Sequence, residues 1–177
     1  IPYIEQVLCI KSNLRVLEIG CGEGGNLKPF LDVGCHCVGI DIDVAQVEEA
    51  KAFFANHSLN KNLRLIANDI YKVSPNEIGN FDLIILRDVI EHLPNQEVFM
   101  HQLKCFMHSE SVVFFGFPVW CNPFGGHQQI CRNKWLSHTP WLHLLPNRLY
   151  KQALQLGGES ASTIKALLDI KATGISL

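Results

Sequence analysis

The sequence predicts an α/β protein built on a doubly wound parallel sheet, and three observations predict it. Short apolar runs alternate with helix-patterned or loop segments between residues 14 and 117. The first run, entered at Leu14, breaks into four glycines within six residues at Gly20, Gly22, Gly24 and Gly25. Four successive run ends then carry a special or polar residue: the glycine loop, Asp41, Asp69 and Arg87-Asp88. Ligands of such sheets lie beyond the carboxyl ends of the strands, so the polar residues fall where a site is expected.

Each element follows from local pattern. Ile1 to Ile10 carries apolar residues at 1, 4, 7, 8 and 10, a helical stripe. Leu14–Ile19 reads as the first strand and Gly25–Val33 as its helix, broken or bent near Pro29 and ended by Gly34. Cys35–Ile40 is the second strand. Asp43 is placed to cap a helix from Val44 to about Asn56, with Val44, Val47, Ala50 and Phe54 on one face. Asn62–Ala67 is the third strand, and Ser74-Pro75-Asn76 with Gly79-Asn80 reads as loop. Phe81–Leu86 is the fourth strand, Pro94–Met107 a helix and Ser111–Phe117 the fifth strand.

The rhythm stops at Pro118. Pro118–His127 is loop by its Pro and Gly content, and all three tryptophans fall between 120 and 141. Asn147–Leu156 and Ala161–Ile170 look helical across Gly157-Gly158, and no further strand is evident before Leu177. The expected organisation is a core over 1–117 and a helical cap over 118–177 within the same domain.

Composition bounds the function. The chain has 177 residues, 47% of them hydrophobic and 18% charged, a globular composition. With a formal net charge of −2 and no basic block, it lacks the signature of a dedicated nucleic-acid surface. No apolar run reaches the length of a membrane span, and no signal peptide is visible in a chain that begins at Ile1 without Met and is expected to lack its true N-terminus. Seven cysteines without a CxxC pair point to reduced thiols and a cytoplasmic setting. Cys121, His127 and Cys131 can be drawn as metal ligands, but the fourth ligand and the usual spacing are absent, so no metal is expected from them.

The glycine stretch fits two templates. Gly20-x-Gly22-x-x-Gly25 is a dinucleotide fingerprint, whereas Glu18-x-Gly20-x-Gly22-x-Gly24 resembles the first motif of class I S-adenosylmethionine methyltransferases. Asp41 serves a ribose in either. Glu18 leans toward a cationic ligand, since a carboxylate beside the loop suits a sulfonium and an ammonium better than a pyrophosphate. Asp69, or the backbone N–H of Ile70, can read an adenine edge, and Ile42 and Ile70 can sandwich the ring.

The strand Phe81-Asp82-Leu83-Ile84 and its ending Asp88-Val89-Ile90-Glu91-His92-Leu93-Pro94 decide between the templates. Together with Glu18-Gly20-Gly22-Gly24, Asp41 and Asp69, they make residues 14–117 resemble class I S-adenosylmethionine (SAM)-dependent methyltransferases, in the broad group whose fourth strand ends near DVIEHLP. The resemblance implies a Rossmann-like sheet of order 3-2-1-4-5, normally completed by a closing strand pair. That pair is not recognisable here, being either displaced past Leu177 by the insertion or cut off by truncation of the chain. It also implies SAM held by Glu18, Gly20, Cys21, Gly22, Gly24, Asp41, Ile42, Asp69, Ile70 and Arg87.

Methyl transfer asks mainly for orientation and exclusion of water, and a base is needed only for an acceptor that must lose a proton. His92 and His127 are the candidate bases, with Asp88 placed to orient either. Trp-rich segment 118–146 reads as an acceptor cover. The expected reaction is methylation, at oxygen, of a small-molecule or glycan-type acceptor. Three alternatives stay open. Asp88-x-x-Glu91-His92 with a later His resembles the metal site of small-RNA 2′-O-methyltransferases. A NAD-binding oxidoreductase and a non-catalytic methyltransferase-like binding module are the others.

Overall fold

The computed structural model describes residues 2–174; Ile1, the first member of the N-terminal stripe, and residues 175–177, with Leu177, lie outside the described residues. Two compact units form: the chain up to Val89 with Asn95–Gly116, and Ile90–Pro94 with the chain from Phe117 on.

The first unit is a five-stranded sheet. Its strands are β1 (Arg15–Ile19), β2 (His36–Asp41), β3 (Leu63–Ala67), β4 (Phe81–Arg87) and β5 (Met107–Gly116). Every pairing is parallel and the order is β3-β2-β1-β4-β5, as the resemblance implies. Four helices belong to this unit: α1 (Lys28–Val33), α2 (Val44–Phe54), α3 (Pro75–Ile78) and α4 (Gln96–Lys104). Strand parity shows why the sheet is covered on both faces. Val16, Leu83 and Ile85 join Leu27, Phe30, Leu31 and Phe54 in one core, while Leu17, Ile84 and Leu86 of the opposite parity are also fully buried.

Several local expectations are corrected. The N-terminal stripe forms only a 3₁₀ turn at Ile4–Gln6, where Ile4 is buried and Val7 is exposed. A lone turn gains too few hydrogen bonds to propagate without a face to bury. Pro29 starts α1 rather than bending it, since its missing N–H costs nothing in a first turn. Gly34 ends α1 in the left-handed region at φ 96°. Asp43 caps α2 by accepting from the Ala45 N–H, but Val44 lies on the exposed side, apart from Val47, Ala50 and Phe54. The Ser74–Gly79 loop contains α3, with Ser74 accepting the Asn76 N–H and Pro75 in the first turn. Met107 opens β5 instead of closing α4.

The second unit is helical among the described residues. It holds α5 (Lys134–His138), α6 (Asn147–Leu156) and α7 (Ala161–Thr173), with 3₁₀ turns at Ile90–His92, Gln128–Ile130 and Leu142–Leu144. Its core is Cys131, Tyr150, Leu154, Ile164 and Leu167, with Leu136, Leu142, Leu145 and Leu168 packed against them. Inside it, the Lys171 ammonium lies over the Trp120 and Tyr150 rings and donates to the His143 carbonyl.

Candidate active site

The glycine loop sits where β1 ends. Gly20, Gly22 and Gly24 take φ of 72°, 49° and 79°, which L side chains rarely adopt. A Cβ on Gly20 would stand 2.2 Å from Val89 Cγ2, and one on Gly24 would stand 2.7 Å from Phe54 Cε2. Gly25 has no such φ and nothing within 4 Å of a Cβ. The constrained glycines are therefore the three of Glu18-x-Gly-x-Gly-x-Gly. The third glycine of the dinucleotide fingerprint, whose purpose is close helix–strand packing, packs against nothing. The helix also begins three residues beyond Gly25, at Lys28, so the loop does not run directly into a helix N-terminus as that fingerprint requires.

Asp41 and the loop meet. Its Oδ2 accepts the Gly22 N–H at 2.8 Å and its Oδ1 accepts the Asp43 N–H at 2.9 Å. Each oxygen retains accepting capacity beyond those bonds.

Glu18 is fully buried in β1. Its Oε1 accepts from Asn26 Nδ2 at 2.8 Å, and Asn26 Oδ1 in turn accepts from Arg87 Nη1 at 3.1 Å. Its Oε2 is buried with no hydrogen-bond partner. Burial pushes the carboxyl up to about 7, against the smaller opposing effects of Asn26 and Arg87. Asn26 lies outside the set of residues implied by the resemblance, although its position just after the glycines is a signal that sequence reading can use.

The remaining predicted positions of this unit vary. The Cys21 thiol is buried against the space above Gly39, and burial pushes it up to about 12, so its side chain is a core group. Asp69 Oδ1 accepts the Tyr71 N–H, capping a 3₁₀ turn. Ile70 is buried and Ile42 is exposed. The exposed Asp88, at φ 55°, has its carboxylate 3.8 Å from Arg87 Nε.

In the second unit, His127 Nε2 lies 3.5 Å from Glu91 Oε1, and the His92 and His127 rings are edge-on at 5.6 Å. Glu91 is 2% exposed, and neither of its oxygens nor His127 Nε2 has a hydrogen-bond partner. Glu91, His92 and His127 each offer a ligand atom within 4.8 Å of the others. The Glu91 backbone is held by Thr173 of α7, whose hydroxyl donates to the Glu91 carbonyl. The sequence makes Asp88 the expected orienting acid and offers Glu91 only as a metal ligand. The Glu91–His127 proximity spans 36 positions, which no local spacing reveals.

Known proteins share this architecture. The chain is 26% identical to a ubiquinone biosynthesis O-methyltransferase of Bartonella tribocorum, across 96% of this chain and 76% of that protein. With the protein of the same name from Brucella melitensis it is also 26% identical, across 64% of this chain and 49% of the relative. Among solved structures, coclaurine N-methyltransferase bound to N-methylheliamine and S-adenosylhomocysteine superposes with a TM-score of 0.57 at 21% identity. That match covers 64% of this chain and 33% of the other. A SAM-dependent methyltransferase from Thiobacillus denitrificans, in complex with S-adenosylhomocysteine, gives 0.55 at 19% identity over 64% and 46%. The chain thus spans less than half the length of these two structures, and at such identities they show the fold alone. The family described as a methyltransferase domain matches residues 3–158. With its sheet order and its three left-handed glycines, the chain belongs to that family, the class I SAM-dependent methyltransferases.

Proposed function

We propose that this chain methylates an oxygen of a small-molecule or glycan-type acceptor, with SAM as donor. The observation that carries the choice of oxygen is the buried Glu91 carboxylate 3.5 Å from His127 Nε2. A hydroxyl acceptor must lose a proton, and a histidine beside a desolvated anion is suited to take it. The names of the Bartonella and Brucella relatives support O-methylation.

The residues of the first unit fit the donor. The unpartnered Glu18 Oε2 offers an acceptor for an ammonium, and the left-handed backbone of Gly20, Gly22 and Gly24 is assigned to the amino-acid tail. Asp41 is assigned to the ribose hydroxyls, Asp69 and the Ile70 N–H to the adenine edge, and exposed Ile42 to one ring face. Arg87 acts through Asn26, which fixes the orientation of Glu18. When bound, SAM supplies an activated methyl group on a sulfonium, open to in-line displacement. With His127 Nε2 turned to Glu91, His127 Nδ1 is assigned the acceptor proton, Glu91 stabilises the resulting imidazolium, and His92 stands beside His127 as the second imidazole.

The test is methyl transfer to a panel of phenolic and sugar hydroxyl acceptors by the wild type and by His127→Ala and Glu91→Gln. Turnover is expected to fall on the order of a hundredfold or more, the scale of a lost general base, with affinity for S-adenosylhomocysteine unchanged. Unchanged turnover in both variants removes the base assignment.

A second reading is favoured by one observation, the convergence of unpartnered Glu91 and His127 atoms with His92 within 4.8 Å. Carboxylate with two imidazoles suits a divalent cation, as in the RNA 2′-O-methyltransferase alternative. Activity that disappears with a chelator and returns with Mn²⁺ or Mg²⁺ selects it; activity indifferent to chelator removes it.

A further inference from the structure

The charges of the chain are unevenly shared. The first unit carries nine Lys and Arg against fourteen Asp and Glu, while the second carries six against three. Of those six, Lys171 is turned inward onto Trp120 and Tyr150, and Lys165 is paired with Asp169. The other four, Arg132, Lys134, Arg148 and Lys151, are exposed and lack an ion-pair partner among the described residues.

Two large apolar side chains stand out in the same region. Trp135 is 86% exposed and Leu156 is 90% exposed, more than any other large hydrophobic residue described. They flank one junction. Asn133 caps α5 by accepting the Trp135 N–H, and its Nδ2 donates to the carbonyl of Gly157, which follows Leu156. The Asn133 N–H also donates to Glu159 Oε1, and a Cβ on Gly157 would stand 2.2 Å from Leu136 Cδ1. The start of α5 and the end of α6 are therefore locked together. Leu149, half-exposed and seven residues before Leu156, continues the stripe along the outer face of α6. The pattern is an apolar ridge of one tryptophan and two leucines, with Arg132 and Lys134 near the tryptophan in sequence and Arg148 and Lys151 at other exposed positions of α6.

We propose that this ridge docks the chain on the surface of an anionic lipid bilayer. Tryptophan prefers the headgroup level, leucine the acyl boundary just beneath it, and unpaired Lys and Arg are drawn to acidic headgroups. The occupant is chosen by charge complementarity: four unneutralised cations in the unit that carries the exposed apolar groups match an anionic lipid interface better than they match the same face of a second copy, which bears the same cations. No helix among the described residues is long and apolar enough to cross a membrane, and the contact proposed is with the bilayer surface.

The test is co-sedimentation of the chain with vesicles of phosphatidylcholine, with and without phosphatidylglycerol, at low and high salt. Binding is expected to the phosphatidylglycerol vesicles, to weaken with salt, and to drop about tenfold or more in Trp135→Ala/Leu156→Ser. Lys134→Glu/Lys151→Glu is expected to weaken it as well, with the apolar ridge intact. Both pairs are exposed, and circular dichroism melts confirm folding in each. No sedimentation with either vesicle overturns the proposal. So does binding that ignores both variant pairs. A dimer in sedimentation equilibrium that dissolves in Trp135→Ala/Leu156→Ser, without vesicle binding, also overturns it and assigns the ridge to a contact between copies.

Discussion

At the scale of single residues, Glu18 has the clearest consequence. Its folded pKa, near 7, lies above the ordinary 4.5, so the fold keeps a proton that the unfolded chain releases. Stability from this group is complete below about 4.5 and is lost as pH rises toward 7, by on the order of 3 kcal/mol. Urea melts of wild type and Glu18→Gln between pH 5 and 8 check this, since the glutamine lacks that slope. An ammonium placed against Glu18 favours the ionised carboxylate, so affinity for S-adenosylhomocysteine, through its amino group, is expected to rise across the same window. Asp41→Ala is expected to weaken that affinity by about 1–3 kcal/mol, the cost of an unpaired hydrogen-bonding site. Glu18 and Asp41 were legible because each sits at a set distance from the glycines in one short stretch. The nearness of Glu91 and His127 was not, because only the helical unit brings them together.

At the scale of elements, the glycine loop can be tested against itself. Gly20→Ala must hold a side chain at φ 72° and displace Val89, so a loss of about 2–4 kcal/mol is expected in thermal or urea melts. Gly25→Ala has open space and no left-handed φ, so its effect is expected within about 0.5 kcal/mol. An equal loss from both contradicts the separation of the two templates. The strands were readable because each centres on a short run of mostly apolar residues, such as Leu83–Leu86, closed by a polar or turn residue. α6 and α7 were readable because Gly157-Gly158 separates two helical stripes. The N-terminal stripe misled because periodicity states which face can be buried, not whether a surface exists to bury it. Val44 misled in the same way. The α3 turn was hidden inside Ser74–Gly79, where the capping serine and proline read equally well as loop.

At the scale of the whole molecule, the fold class and sheet order followed from alternation and the resemblance, while the arrangement of helices from Phe117 onward had no comparable pattern to expose it. The two units divide the labour proposed for them. The acidic first unit carries the residues assigned to the donor, and the second carries the Glu91–His127 pair. A ligand that binds only the folded chain raises its stability by mass action, by about 2.7 kcal/mol at a hundred times its dissociation constant. Saturating S-adenosylhomocysteine is therefore expected to raise the melting temperature, and NAD to leave it unchanged. The most direct test of the central claim is a calorimetric titration of S-adenosylhomocysteine into the folded chain, run beside Asp41→Ala. The account predicts one-site binding that the variant weakens by about tenfold or more. Absence of binding to the wild type, or identical binding by the variant, contradicts it.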